Sequence, residues 1–189
     1  MELILASKSP RRKEILSRLG YTFKIESKNT DETMDETLDV YQNVMNTAYK
    51  KAHAVFLDNE ESVVLGCDTI VVLDNKIYGK PKDKEDAIKT LKLLNNKTHS
   101  VISGVAIILK DKEYKFYVKS DVTFKNNTDK EIEEYVLSGE PMDKAGSYAI
   151  QGLGKGLIEC YTGSYDNIVG LPSLEVDKIL KEVLAWSGK

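Results

Sequence analysis

Residues 63–73 read Val-Val-Leu-Gly-Cys-Asp-Thr-Ile-Val-Val-Leu, a nearly unbroken apolar run rich in β-branched side chains. Such a run predicts a strand buried on both faces. Asp74-Asn75 is a good two-residue hairpin turn, and the chain returns through Lys76-Ile77-Tyr78. Strand and helix patterns alternate along the rest of the sequence. The expected fold class is therefore α/β, with a mixed, strongly curved sheet flanked by helices. At 189 residues the chain is long enough for a real core, as one globular unit or as two lobes around a central cleft. No repeat, low-complexity tract or linker divides it, so residues 1–189 are read as a single domain.

The first strand, residues 3–5, leads through Ala6-Ser7-Lys8-Ser9 into a helix that starts at Pro10 and ends near Leu19-Gly20. Ser9 is placed as its N-cap and Pro10 as its first residue. Residues 22–26 read as a second strand and the acidic stretch 27–37 as a loop. Residues 39–57 form a helix with Val40, Val44, Met45, Ala48, Ala52 and Val55 along one stripe. Asp83 opens another helix, with Ala87, Ile88, Leu91 and Leu94 inward. Residues 101–109 and 113–124 read as long strands, and Thr128 with Glu131 forms a capping box. Residues 147–150 and 157–161 look strand-like among glycines, and residues 173–186 form a terminal helix after Pro172.

Composition narrows the function. A formal net charge of −3 argues against a nucleic-acid or membrane-surface binder, since both want a basic field. No apolar stretch reads as a signal peptide or a membrane span. Two cysteines, Cys67 and Cys160, make no disulfide framework, which points to the cytoplasm. The two histidines, His53 and His99, have no metal-ligand spacing.

Individual residues then stand out. Asp68 interrupts the strongest apolar strand, so it is either a hydrogen-bonded structural acid or a site residue; unpartnered, it would cost about 2–7 kcal/mol or more. Thr69 alternates to the other strand face, so both reach one site only where the chain bends, and Gly66 is a candidate bulge. On the helix of residues 39–57, Lys51 falls about 20° from Val40, inside the apolar stripe. It either snorkels to the rim or aims its ammonium into a cleft.

The strand–turn–helix at the N-terminus offers free N–H groups and the guanidinium forks of Arg11 and Arg12, a set suited to phosphate. Its bland alternative is a turn with solvated arginines. Gly79-Lys80-Pro81 fixes a tight exit from the hairpin, with Lys80 at the end of the sheet that carries the first loop if the strands are neighbours. Glu32 and Asp68 together suffice for Mg²⁺ or Mn²⁺ where phosphates complete the shell. Gln151 presents a donor and an acceptor, suited to the edge of a pyrimidine base.

Strings across almost the whole chain resemble the Maf family of nucleoside triphosphate pyrophosphatases. They are Leu5-Ala6-Ser7-Lys8-Ser9-Pro10-Arg11-Arg12, Glu32, Lys51, Gly66-Cys67-Asp68-Thr69, Gly79-Lys80-Pro81 and Lys97-Thr98-His99-Ser100-Val101. Glu140-Pro141-Met142-Asp143-Lys144-Ala145-Gly146, Ile150-Gln151-Gly152 and Val169-Gly170-Leu171-Pro172 follow in order. The resemblance implies an enzyme that splits a nucleoside triphosphate into monophosphate and pyrophosphate, in a family associated with septum formation. Asp68-Thr69 and Ser147-Tyr148-Ala149-Ile150-Gln151-Gly152 look like the branch acting on dTTP and UTP. By the resemblance Asp68 is the proton acceptor, Arg11, Thr69 and Gln151 shape substrate choice, and Ser7, Arg12, Lys51 and Lys80 hold phosphates. Cys67 stands where the family often has a small residue such as Ala. A nucleoside triphosphate is the expected partner, with neither nucleic acid nor membrane, and a homodimer is allowed. The alternative is a nucleotide-binding regulator of division with little turnover.

Overall fold

A computed structural model describes residues 1–185 of the chain. The apolar run forms one strand, β3 (Val63–Leu73), buried along its length except at Asp68 and Thr69, which are half-buried. β1 (Leu3–Leu5) pairs with it in parallel, Leu5 opposite Leu65, and β2 (Lys24–Ile25) pairs in parallel with β1. β4 (Lys76–Tyr78) folds back antiparallel on β3 through Asp74 and Asn75, whose φ values of 51° and 60° are those of the predicted hairpin turn. β5 (Thr98–Leu109), β6 (Lys112–Phe124) and β7 (Ile158–Thr162) complete a seven-stranded mixed sheet in the order β2-β1-β3-β5-β6-β7, with β4 on β3.

The chain divides into two compact units. The first holds residues 1–68, 103–118 and the C-terminal residues from 170 onward. Here α1 (Pro10–Arg18) follows β1, and α2 (Val40–Phe56) starts at an Asp39 capping box with Gln42. Two glycines admit α2 to the strands. A Cβ at Gly66 would meet the Ala48 carbonyl and lie 2.8 Å from Ala52 Cβ, and a Cβ at Gly104 would meet the Val44 carbonyl. Gly66 therefore marks a close approach of backbone to helix. Ile4, Ala6, Ala48, Ala52, Val55, Val64, Ala106 and Ile108 close this core. α6 (Ser173–Ala185) buries Val176, Leu180 and Val183. The predicted end of that helix at Trp186 lies outside the described residues.

The second unit holds residues 69–102 and 119–169. Its helices are α3 (Lys84–Leu94), capped by Asp83, and α4 (Asp129–Leu137), opened by the predicted Thr128–Glu131 box. A short α5 (Tyr165–Val169) was not foreseen. His99, Phe124 and Tyr148 meet edge to face, with ring centroids 4.8–5.3 Å apart. Residues 147–150 are not a strand. Gly146 and Ser147 both take left-handed backbone, at φ 68° and 61°, which no strand accommodates, and Gly146 N–H donates to the Gly79 carbonyl at 3.0 Å. The second predicted strand is likewise shorter than expected, only Lys24–Ile25.

Candidate active site

β1 runs beside the first residues of β3 and ends where Ala6 N–H donates to the Leu65 carbonyl at 2.8 Å. The loop that follows is organised by Ser7, which is buried. Its hydroxyl accepts from Ser9 N–H and from Arg12 Nη1, each at 3.2 Å. Ser9 occupies the N-cap position, but its side chain makes no capping bond, so the capping role read from sequence is corrected to position alone. The first turn of α1 carries no acidic residue and two arginines. Positive side chains at a helix N-terminus oppose its dipole by about 0.3–1 kcal/mol each, a local cost that a bound anion reverses.

Lys51 and Asp68 come together because α2 rides directly on Gly66. Lys51 Nζ lies 2.7 Å from Asp68 Oδ1 and 3.1 Å from Glu32 Oε1. The Lys51 and Asp68 side chains are 16% and 13% exposed, so this is an enclosed pair, whereas Glu32 at 58% faces solvent. Of the two fates open to Lys51, the structure has the ammonium aimed inward at a carboxylate. Removing Lys51 leaves Asp68 without this cation, whereas removing the Asp68 charge leaves Lys51 its Glu32 partner.

The two carboxylates converge on one cation, which tests their fitness for a metal. They are hard oxygen donors already arranged around a positive charge, as Mg²⁺ or Mn²⁺ requires. Among the described residues no group of three or more His, Cys, Asp or Glu could hold an ion, so Glu32 and Asp68 stand as a two-carboxylate set.

One backbone group links the first loop to β3. The Gly170 carbonyl accepts from Arg12 Nε at 2.8 Å and from Cys67 Sγ at 3.3 Å, next to Asp68. Gly170 has φ 135°, in the region where glycine is at ease. A main-chain acceptor leaves no side-chain signature by which sequence could have found it. Arg11 is half-buried on the same first turn. Thus Ser7, Arg11, Arg12, Glu32, Lys51 and Asp68 all belong to the first unit.

Thr69, Lys80 and Gln151 belong to the second. Thr69 is half-buried on β3. The register Val71 opposite Tyr78 turns the chain back before Gly79-Lys80-Pro81, where Lys80 is exposed and Pro81 buried. Gln151, half-buried, sits on an irregular arch rather than on the expected strand, between Ile150 and a turn of 3₁₀-helix over Gly152–Leu157. That turn is held by Glu140, which sequence reasoning did not single out.

A family model described as Maf-like protein matches residues 2–183. Proteins of Bacillus anthracis (strain CDC 684 / NRRL 3495), Bacillus cereus (strain AH820) and Bacillus pumilus (strain SAFR-032), each named dTTP/UTP pyrophosphatase, are 46%, 45% and 42% identical to the chain. The alignments cover 95–96% of this chain and 95% of each relative. Among solved structures, the Ham1 protein of Staphylococcus aureus shares the fold, with a TM-score of 0.53 at 14% identity over 99% of this chain and 100% of that one.

Proposed function

This chain belongs to the Maf family, and from that premise we propose that it hydrolyses dTTP and UTP, and modified pyrimidine triphosphates, to the monophosphate and pyrophosphate. The observation that carries the reading is the enclosed Asp68 carboxylate, paired with Lys51 at 2.7 Å on the strand whose neighbouring Cys67 shares an acceptor with Arg12. A carboxylate beside a triphosphate repels its ligand unless the chemistry uses it. The names of the relatives agree, and no observation favours a regulator without turnover.

Ser7, Arg12, Lys51 and Lys80, with the N–H groups of the first loop, bind and orient the phosphates. Arg11, Thr69 and Gln151 select the substrate. Water attacks the α-phosphorus with Asp68 as proton acceptor: an oxygen–phosphorus bond forms, the bond to the bridging oxygen breaks, and pyrophosphate leaves. Glu32 and Asp68 are the residues that would hold Mg²⁺ or Mn²⁺. When bound, such an ion neutralises phosphate oxygens and lowers the pKa of coordinated water. Residues 1–189 act as one functional domain. The setting is cytoplasmic, consistent with two free cysteines and with no helix of the described residues long and apolar enough to cross a membrane.

The test is pyrophosphate release from a panel of canonical and modified triphosphates with Mg²⁺, Mn²⁺ or neither. Release concentrated on dTTP and UTP is expected, and its absence from every substrate would end the reading.

A further inference from the structure

Glu140 lies eleven positions before Gln151 and outside every role assigned above. Its carboxylate nonetheless accepts three hydrogen bonds. Oε1 accepts from Gly154 N–H at 3.0 Å and from the Tyr135 hydroxyl at 3.0 Å, and Oε2 accepts from Leu153 N–H at 3.0 Å. Upstream of Gln151, Ala149 N–H donates to the same Tyr135 hydroxyl at 3.2 Å. Gly152 takes φ 61°, and a Cβ there would lie 2.5 Å from Glu140 Oε2, so the carboxylate is pressed against the turn it holds. Lys144 Nζ donates to the Glu140 main-chain carbonyl at 2.7 Å and fixes the other end of the residue. Desolvation works to raise the Glu140 pKa, but the bonds from Leu153, Gly154 and Tyr135 hold it below the usual carboxylate range.

The backbone is therefore pinned on both sides of Gln151, two residues before it and two and three residues after it. These ties come from a helix and a 3₁₀ turn, not from a strand ladder. A merely structural loop needs no such symmetry about one half-buried carboxamide. A specificity residue does, because a rotatable amide discriminates only when its backbone fixes the distance to the base edge.

We infer that Glu140, together with Tyr135, is a positioning residue for base recognition, holding the arch that presents Gln151 to the pyrimidine. The inference rests on the pyrophosphatase reading and on Gln151 facing the base. Loss of one hydrogen bond to the base corresponds to roughly a tenfold change.

The experiment measures pyrophosphate release from UTP, CTP and GTP, and inhibition by inorganic tripolyphosphate, for wild type, Glu140→Gln, Tyr135→Phe, Gln151→Ala and Glu140→Gln/Gln151→Ala. For Glu140→Gln the expected result is a KM for UTP raised about tenfold, a smaller preference for UTP over the other two, and unchanged kcat and tripolyphosphate inhibition. In the Gln151→Ala background the same substitution should add nothing. Tyr135→Phe, which removes one hydroxyl, should change the preference in the same direction and carries the test if Glu140→Gln does not fold. Wild type without pyrophosphate release removes the parent reading and this inference with it. An active, selective wild type whose variants keep its preference, or lose tripolyphosphate inhibition in parallel, overturns the inference alone.

Discussion

Lys51 contacts two carboxylates at once, and the three groups make a formal excess of one negative charge. That balance explains why the roles of Lys51 and Asp68 separate under mutation. On the proposed mechanism Asp68→Asn keeps shape and removes the proton acceptor, so turnover should fall about 10²–10⁴-fold while the melting temperature changes little. Steady-state pyrophosphate release read beside thermal unfolding checks this, and wild-type turnover in a folded variant would refute the assignment. On the same proposal Lys51→Met removes a phosphate contact, and it takes from Asp68 the cation 2.7 Å away. KM should rise about 10–100-fold, the effect of one hydrogen bond to a charged group. A lysine that only snorkelled would tolerate the change. Asp68 and Lys51 were legible in the sequence because each is a charged residue at a position whose neighbours specify an apolar environment. Gly170 was not, since its contribution is a carbonyl, and every residue has one.

At the scale of elements, the Thr128 start was legible because capping chemistry is local, whereas the Ser9 side chain at the start of α1 makes no capping bond. Asp39, Asp83 and Thr128 each accept a bond from a backbone N–H three residues on. The 145–154 region was misread for the opposite reason. Ser-Tyr-Ala-Ile looks like an alternating strand, yet its path is set by the Gly79 carbonyl, distant in sequence, and by the Glu140 carboxylate, whose partners an alternation pattern does not reveal. Gly66 shows how one glycine couples an element to the site. Gly66→Ala puts a methyl group against the Ala48 carbonyl and 2.8 Å from Ala52 Cβ, so α2 must move away from β3. The expected cost is about 1–3 kcal/mol, the usual range for overpacking, measured by urea unfolding. Because α2 carries Lys51, KM should rise as well. Gly156→Ala, with nothing within 4 Å of its Cβ, is the control and should leave both readouts unmoved.

For the whole molecule, the response to acid should be set in part by His99. Its ring is buried between Phe124 and Tyr148, its Nε2 lies 2.7 Å from the Tyr148 hydroxyl, and its Nδ1 is a buried atom with no hydrogen-bond partner among the described residues. Burial pushes its pKa down from 6.5 to about 4, against the weaker upward pull of Asp121. The folded-state value therefore lies below the unfolded one, and between these values the unfolded chain binds the proton that the folded chain refuses. Stability is fully present above pH 6.5 and is lost as the pH falls toward 4. One pKa unit is about 1.4 kcal/mol, so between pH 7 and pH 5 this one residue should remove about 2 kcal/mol of unfolding free energy. Carboxylates add their own acid sensitivity, but that part is common to wild type and to His99→Gln. Urea unfolding of both at the two pH values isolates the histidine: the wild type should lose about 2 kcal/mol more than the variant. Equal losses would mean that the ring accepts its proton without opening the cluster, and His99 would then have no part in the acid response.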